Sequence, residues 1–430
     1  FLLVGPPGTG KTSRALRAMV GNFYRQGKQV LLLSYTNRAV DEICKMLVGI
    51  SPAVDFIRIG SELACEPAYR PYLVENVLEA CANRCAVQER LGRCQIFVGT
   101  VATLSSKTDL FRLKTFDVAI VDEATQILEP QLLGLLCARG VQGGDAIGKF
   151  VLIGDHKQLP AVVLQSSAQS EVHDEALRGI GLYNLKDSLF ERLYRYVTCL
   201  KADAVVAGLP LSVRCHDMLR RQGRMNIEVA RFPNQAFYGN QLEILGLPHQ
   251  QGALALASGL ESDEFAPLLT RRVAFLPSQP EPLSGSPKVN HSEACLVARL
   301  AVSVYKQYSA SGQFDVASTL GIIAPYRSQI ALIKRELEAS GIPRLGGVMV
   351  DTVERFQGSE RDVIIYSFCL NRTYQLKFLA NVTEDNGVLV DRKLNVALTR
   401  ARKQMFVTGV PDLLNLNPIY ARLLQVLQEA

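Results

Sequence analysis

The stretch Gly5-Pro6-Pro7-Gly8-Thr9-Gly10-Lys11-Thr12 decides the fold. The apolar run Phe1-Leu2-Leu3-Val4 precedes it, and Ser13-Arg14-Ala15-Leu16-Arg17-Ala18-Met19 follows. An apolar strand, a glycine-rich turn ending in Lys-Thr and a helix, in that order, spell a phosphate-binding loop. Glycines let consecutive backbone N–H groups curl around a β-phosphate, and the helix N-terminus adds the positive end of its dipole. Lys11 then reaches the β and γ oxygens and Thr12 ligates Mg²⁺, so Gly5 through Ser13 are the expected nucleotide-binding residues.

A second signal lies downstream. Phe116 to Val121 runs into Asp122-Glu123-Ala124-Thr125-Gln126. Two adjacent carboxylates at the tip of a buried strand repel each other and resist desolvation, and a divalent cation resolves the repulsion. Asp122 is the expected Mg²⁺ holder, with Glu123 polarising the water that attacks a γ-phosphate. Lys149 to Ile153 then leads into Gly154-Asp155-His156-Lys157-Gln158. Gln158, donor and acceptor at once, suits sensing a γ-phosphate, while Asp155 is expected to hold the loop and His156 to be exposed.

The 430 residues fit two domains of about 200 each. Hydrophobic residues make up 48% and charged residues 20%, as in a globular chain with a large interior. A net charge of +6 is a weak pointer to a polyanionic partner. No run of about 18 uncharged apolar residues is present, so no membrane partner is expected and the reading is intracellular: cytoplasmic in a bacterium, nuclear or cytoplasmic in a eukaryote. The chain opens at Phe1 inside the strand that feeds the loop, as a piece of a longer polypeptide would. Ten cysteines are scattered. Cys65, Cys81, Cys85 and Cys94 come nearest one another, but without a C-x-x-C pair they read as helix packing in preference to a metal site.

Gln29 to Ser34 is a continuous apolar run suited to a buried parallel strand, followed by a helix from Arg38 to Leu47. Between them Thr36 and Asn37 suit either phosphate-oxygen contacts or a helix N-cap. Val54 to Ile59 and Gln95 to Gly99 are further strands, and residues 61–94 between them read as a small helical insertion. Thr100 and Thr103, just after a strand, either touch a nucleic-acid backbone or make an ordinary turn.

The order of these motifs resembles a superfamily 1 helicase. Gln222-Gly223-Arg224-Met225, Phe232-Pro233-Asn234, Phe237-Tyr238, Leu320 to Gln329, Val350 to Asp362 and Leu394 to Arg402 narrow the resemblance to superfamily 1B. Within it they match the branch containing the nonsense-mediated-decay helicase and the DNA replication helicase/nuclease. The resemblance implies an α/β fold of two RecA-like parallel-sheet domains, a P-loop NTPase with the helical insertion in the first. The domains are expected at residues 1–198 and 199–430, around a linking region at Val197 to Cys215. It implies ATP and Mg²⁺ as cofactors and Arg224 and Arg400 as arginine fingers. Gly358 and Glu360 align near the nucleotide, and Pro325, Tyr326 and Thr352, with Thr36 and Thr100, align with strand-contacting positions. The implied activity is ATP-driven translocation on single-stranded nucleic acid, 5′ to 3′, with DNA favoured over RNA. The rival readings are an ATPase that clamps or remodels without unwinding, and one with a protein substrate. The chain departs from the family at Gly223, where a tyrosine usually stacks on adenine, so the resemblance implies hydrolysis more firmly than it implies ATP over GTP. Oligomeric state is not indicated. Residues 165–187 and 239–289 read as surface excursions, and 411–430 as a closing amphipathic helix.

Overall fold

The structure, a computed structural model, describes residues 1–206, 215–282, 285–385 and 387–429. It divides into two compact units: residues 1–156 with 160–219, and 157–159 with 220–430. The division therefore follows Leu219 instead of residue 198. The helix Leu189–Val206 and a last strand stay with the first unit, and three residues of the loop after Gly154 belong to the second. Of the expected linking region, residues 207–214 lie outside the described residues.

The first unit has seven strands: β1 (Leu2–Val4), β2 (Val30–Ser34), β3 (Phe56–Ile59), β4 (Ile96–Thr100), β5 (Val118–Val121), β6 (Phe150–Gly154) and β7 (His216–Met218). Their order is β3-β4-β2-β5-β6-β1-β7, every pair parallel. Side chains alternate across a strand, so one sheet feeds two cores. Leu31, Leu33, Phe97 and Val121 enter one, and Val30, Leu32, Val98 and Ile120 the other. The Val-Leu-Leu-Leu-Ser run is buried at every position for this reason.

The 61–94 segment is helical as expected, with α-helices Val74–Glu79 and Arg84–Arg93. It is not a separate subdomain, however. Leu91 and Cys94 enter the sheet's core, and Tyr72 stacks on Phe56 of β3 at 4.1 Å. Buried Lys114 ties it down, donating from Nζ to Leu91 O (3.0 Å) and Gly92 O (3.1 Å) and lying over the Phe97 ring. A cation suits the carbonyls of a helix C-terminus. On β3, fully buried Arg58 pairs with Asp41 of the helix Asn37–Val48 and donates to Ala64 O at 3.2 Å. Of the four neighbouring cysteines, Cys65 and Cys94 are buried and Cys85 is exposed.

In the second unit β8 (Arg221–Gln222) pairs with β9 (Glu243–Ile244), and the main sheet holds β10 (Val273–Pro277), β11 (Leu320–Ile323), β12 (Met349–Asp351) and β13 (Arg361–Ser367). A hairpin of β14 (Val382–Asp385) and β15 (Val388–Asp391) follows, then β16 (Ala401–Gly409). The sheet order is β10-β16-β13-β11-β12, again all parallel. Two helix-covered parallel sheets are what the RecA-like expectation requires. Helix His291–Ala310 packs on the sheet and buries Glu293. Its carboxyl oxygens accept from Ser278 Oγ, Ser367 Oγ, Thr408 Oγ1 and Cys369 N, at 2.7–3.1 Å, bonds that oppose the upward push of burial on the group.

Two further expectations change. The 239–289 stretch is more than surface. Gln250 is fully buried and donates from Nε2 to Gln222 O (3.0 Å) and Met225 O (3.1 Å) while accepting from Leu245 N and Leu247 N, so it buttresses the Gln222-to-Met225 block. The closing segment makes two helices, Pro411–Leu414 and Pro418–Glu429, because Asn417 Oδ1 accepts from Ile419 N at 2.9 Å and Pro418 restarts the helix. Ala430 lies outside the described residues.

Candidate active site

Ligands of parallel α/β sheets bind beyond the carboxyl ends of the strands. In the first unit β1, β5 and β6 end there in Gly5, Asp122 and Gly154. Gly5 N donates to Gly154 O at 2.8 Å, which fixes the start of the loop against β6. A Cβ on Gly5 would fall 2.2 Å from Lys11 Cγ, so only glycine lets the lysine fold back over the loop. Lys11 Nζ donates to Gly5 O at 2.5 Å and Thr9 Oγ1 to Pro6 O at 2.7 Å. Gly10 then takes a left-handed conformation (φ 77°) and the helix begins at Lys11.

Thr12 and the carboxylate pair meet here. Thr12 Oγ1 donates to Asp122 Oδ2 at 2.6 Å across 110 residues of sequence. Asp122 is buried, and burial first, then the neighbouring Glu123, pushes its carboxyl up to about 6; the Thr12 hydroxyl and Lys11 pull the other way. Two hard oxygen donors at contact distance, one of them a carboxylate strained by burial, fit Mg²⁺, which takes few protein ligands and completes its shell with phosphate and water. Glu123 adopts the left-handed region (φ 57°), rare for a residue with a side chain, and its Oε2 accepts from Gln126 Nε2 at 2.5 Å. Gln126 thus helps to orient Glu123. Sequence reasoning assigned it nothing, although it stands three residues on.

The loop after β6 divides. Asp155 is buried. His156 is buried too, against expectation, because its ring stacks on Tyr194 of the helix Leu189–Val206 at 4.4 Å between centroids. Lys157 and Gln158 belong to the second unit. Lys157 Nζ donates to Phe237 O (2.8 Å) and pairs with Asp385 (3.0 Å), and Asn395 Nδ2 donates to Lys157 O (2.6 Å). Neither Lys157 nor Asn395 was singled out in the sequence; the only hint was Asn395's place inside Leu394 to Arg402.

Around Gln158 the second unit gathers the other expected residues. Arg400 is buried and donates from Nη2 to Gln158 Oε1 (3.2 Å), from Nε to Val396 O (3.1 Å) and from Nη1 to Ser359 O (3.4 Å). Arg224 donates from Nε to Glu360 Oε2 (2.6 Å) and from Nη1 to Thr399 O (3.2 Å). Burial alone would raise the Glu360 carboxyl, but Arg224, then Arg402 and Arg400, hold it below the usual carboxylate range. Gly358 supplies the left-handed turn (φ 76°) before Glu360. At Gly223 a Cβ would meet Leu245 Cδ1 at 2.9 Å, so leucine fills the space that a side chain there would need.

The expected strand-contacting residues form two pairs of neighbouring loops, one in each unit. Register Ser34↔Thr100 sets the loops after β2 and β4 side by side, and register Ile323↔Asp351 does so for β11 and β12. Thr36 is the N-cap of its helix, accepting from Ala39 N at 3.2 Å, and is exposed with Asn37. Thr100 is buried, caps the next helix through Thr103 N (3.1 Å) and lies 2.8 Å from Thr103 Oγ1. Half-buried Thr103 keeps more of its surface open. Pro325 and Tyr326 start the helix Arg327–Ala339, and Thr352 N donates to Asp351 Oδ1 at 2.8 Å. No described helix is long and apolar enough to cross a membrane.

Two AAA domain families match the chain, one over residues 185–412 and the other over 1–89 and 78–166. The chain is 31% identical to the DNA replication ATP-dependent helicase/nuclease DNA2 of Bos taurus, over 97% of this chain and 36% of that protein. It is 27% identical to the Arabidopsis thaliana helicase/nuclease JHS1, over 100% of this chain and 28% of that protein. It is 30% identical to the probable helicase MAGATAMA 3 of Arabidopsis thaliana, over 75% and 34%. Among solved structures, the complex of Arterivirus nonstructural protein 10 (helicase) with DNA has a TM-score of 0.44 at 14% identity, covering 95% of this chain and 60% of that one. The chain spans about a third of the length of the curated relatives it matches. It belongs to the AAA domain family, and its likeness to these helicase/nucleases is consistent with the superfamily 1B branch.

Proposed function

We propose that this chain is the motor of an ATP-dependent helicase that moves 5′ to 3′ along single-stranded nucleic acid, with DNA favoured over RNA. The observation that carries the reading is the Thr12–Asp122 contact at 2.6 Å beside Lys11, Glu123 and Gln126. Loop backbone amides bind the β-phosphate, and Lys11 exchanges Gly5 O for a γ oxygen. Thr12 and Asp122 would hold Mg²⁺, which supplies charge neutralisation to the phosphates when bound. Glu123, aimed by its backbone and by Gln126, accepts the proton of the attacking water. Arg224 and Arg400 of the second unit act on the developing γ-phosphate charge, with Gln158 reporting its presence to Arg400. The Thr36, Thr103, Tyr326 and Thr352 loops offer hydroxyls and N–H groups to a phosphate backbone, so binding reads no base sequence.

The test is ATP hydrolysis titrated with single-stranded DNA and RNA, together with displacement of 5′- and 3′-tailed duplexes, beside Glu123→Gln. The expected outcome is strand-stimulated hydrolysis, unwinding of the 5′-tailed duplex, and a loss of at least about 10³-fold in kcat for the variant. Stimulated hydrolysis without displacement would instead make the chain a clamp or remodeller. Hydrolysis indifferent to added strands would sink nucleic acid as the partner.

A further inference from the structure

The loop after β13 turns two large aromatic side chains into solvent. Tyr374 is 52% exposed and Phe378 71%. They stand four residues apart on the successive helical turns Thr373–Gln375 and Leu376–Leu379, a spacing that sets side chains on one face. The residues one step on, Gln375 and Leu379, face the other way into the protein and are both buried. Folding has therefore turned an amide inward and two rings outward, the reverse of what apolar burial selects.

The buried amide explains how the turn is held. Gln375 Oε1 accepts from Asn371 N and Arg372 N, both at 2.9 Å. Its Nε2 donates to Pro287 O at 2.8 Å and to the hydroxyl of Tyr326 at 3.0 Å. The two exposed rings are thus fixed beside Tyr326, a residue of the candidate strand-contacting loop. Two cations lie close to them in the chain. Lys377, between the two aromatics in sequence, is exposed, and Arg372 donates to three neutral carbonyls, Glu281 O, Asn371 O and Pro282 O, at 2.6–2.9 Å.

We infer that Tyr374 and Phe378 form a stacking platform for unpaired bases of a single strand whose backbone follows the Tyr326 loop. The inference rests on the nucleic-acid reading above. Every base has a π-face, so such a platform tolerates any sequence, and the flanking cations match the phosphates between stacked bases. A duplex, whose base faces are already covered, would not be served.

The full chain is titrated with a single-stranded DNA oligonucleotide and with an abasic strand of the same length, which keeps the phosphodiester backbone but has no rings to stack. The wild type is expected to bind the abasic strand roughly tenfold or more weakly. Tyr374→Ala/Phe378→Ala is expected to bind both strands alike, at the wild type's abasic level. Tyr374→Phe/Phe378→Tyr keeps both rings and should restore the preference, which excludes misfolding as the cause. Equal binding of both strands by the wild type, or an undiminished preference in the double alanine variant, overturns the platform and leaves the motor reading standing. A wild type that binds neither strand overturns both.

Discussion

The phosphate loop of the first unit and the arginine cluster of the second are built on opposite principles. In the loop, Lys11 bonds to Gly5 and Thr9 to Pro6, and the shape is set by backbone that eight consecutive residues dictate. Its bonds to distant chain run from Gly5 N to Gly154 O at the start of the loop and from Thr12 to Asp122 at its end. In the cluster Arg224 meets Glu360 across 136 residues and Arg400 meets Gln158 across 242. A loop shaped by its own backbone is a local property of the chain. An arginine site made of side chains exists only once distant strands have folded together.

The contrast yields graded expectations. If the first unit alone holds nucleotide and the second only stabilises developing charge, Arg400→Ala should cost about 10³-fold in kcat while nucleotide affinity moves only a few-fold. Arg400→Lys should recover little of this, because the planar fork that reaches Gln158 and Ser359 is lost. Single-turnover hydrolysis beside equilibrium nucleotide binding separates the two effects. A parallel collapse in affinity would show that the loop is not self-sufficient. Within the first unit, Gln126→Ala removes the 2.5 Å bond to the Glu123 carboxylate and should lower kcat by roughly 10- to 100-fold, with an altered pH profile and unaltered nucleotide affinity. An unchanged rate would mean that Gln126 is not what aims Glu123.

The smallest effect concerns stability. Folding raises the Asp122 carboxyl from its ordinary value to about 6, so the folded chain holds that proton more tightly than the unfolded chain. Stability therefore falls as pH rises through the window between about 4 and about 6, and the ionised group weakens the fold at pH 7. Without nucleotide and Mg²⁺, Asp122→Asn should be more stable than the wild type by about 1–3 kcal/mol at pH 7, a gain that vanishes near pH 4. Thermal melts across that range measure it. A loss of stability at pH 7 would mean that the Thr12 bond outweighs the cost of burial.

Most of the sheet architecture was legible because parallel strands buried on both faces leave uninterrupted apolar runs, as in residues 30–34 and 118–121. The loop and the Asp-Glu pair stood out in the sequence because the chemistry expected of them needs adjacent residues. His156 was misread because its burial depends on Tyr194, nearly forty positions away, and no local pattern announces that stacking. Gln250 was passed over in a stretch of glycine, proline and glutamine because its partners, Gln222 and Met225, are brought to it by the β8–β9 pairing.

Composition and contiguous motifs thus settled that this chain builds two helix-covered parallel sheets and a phosphate loop, since hydrophobic runs and backbone curvature are encoded in neighbouring residues. Tertiary structure alone decided that Gln126 aims Glu123 and that Lys157–Leu159 pack with the second unit. It also decided that Arg58 is buried with Asp41, and that Gln375 turns inward so that Tyr374 and Phe378 turn out. Side-chain hydrogen bonds and burial depend on which surfaces meet, and that is determined only when the whole chain has packed.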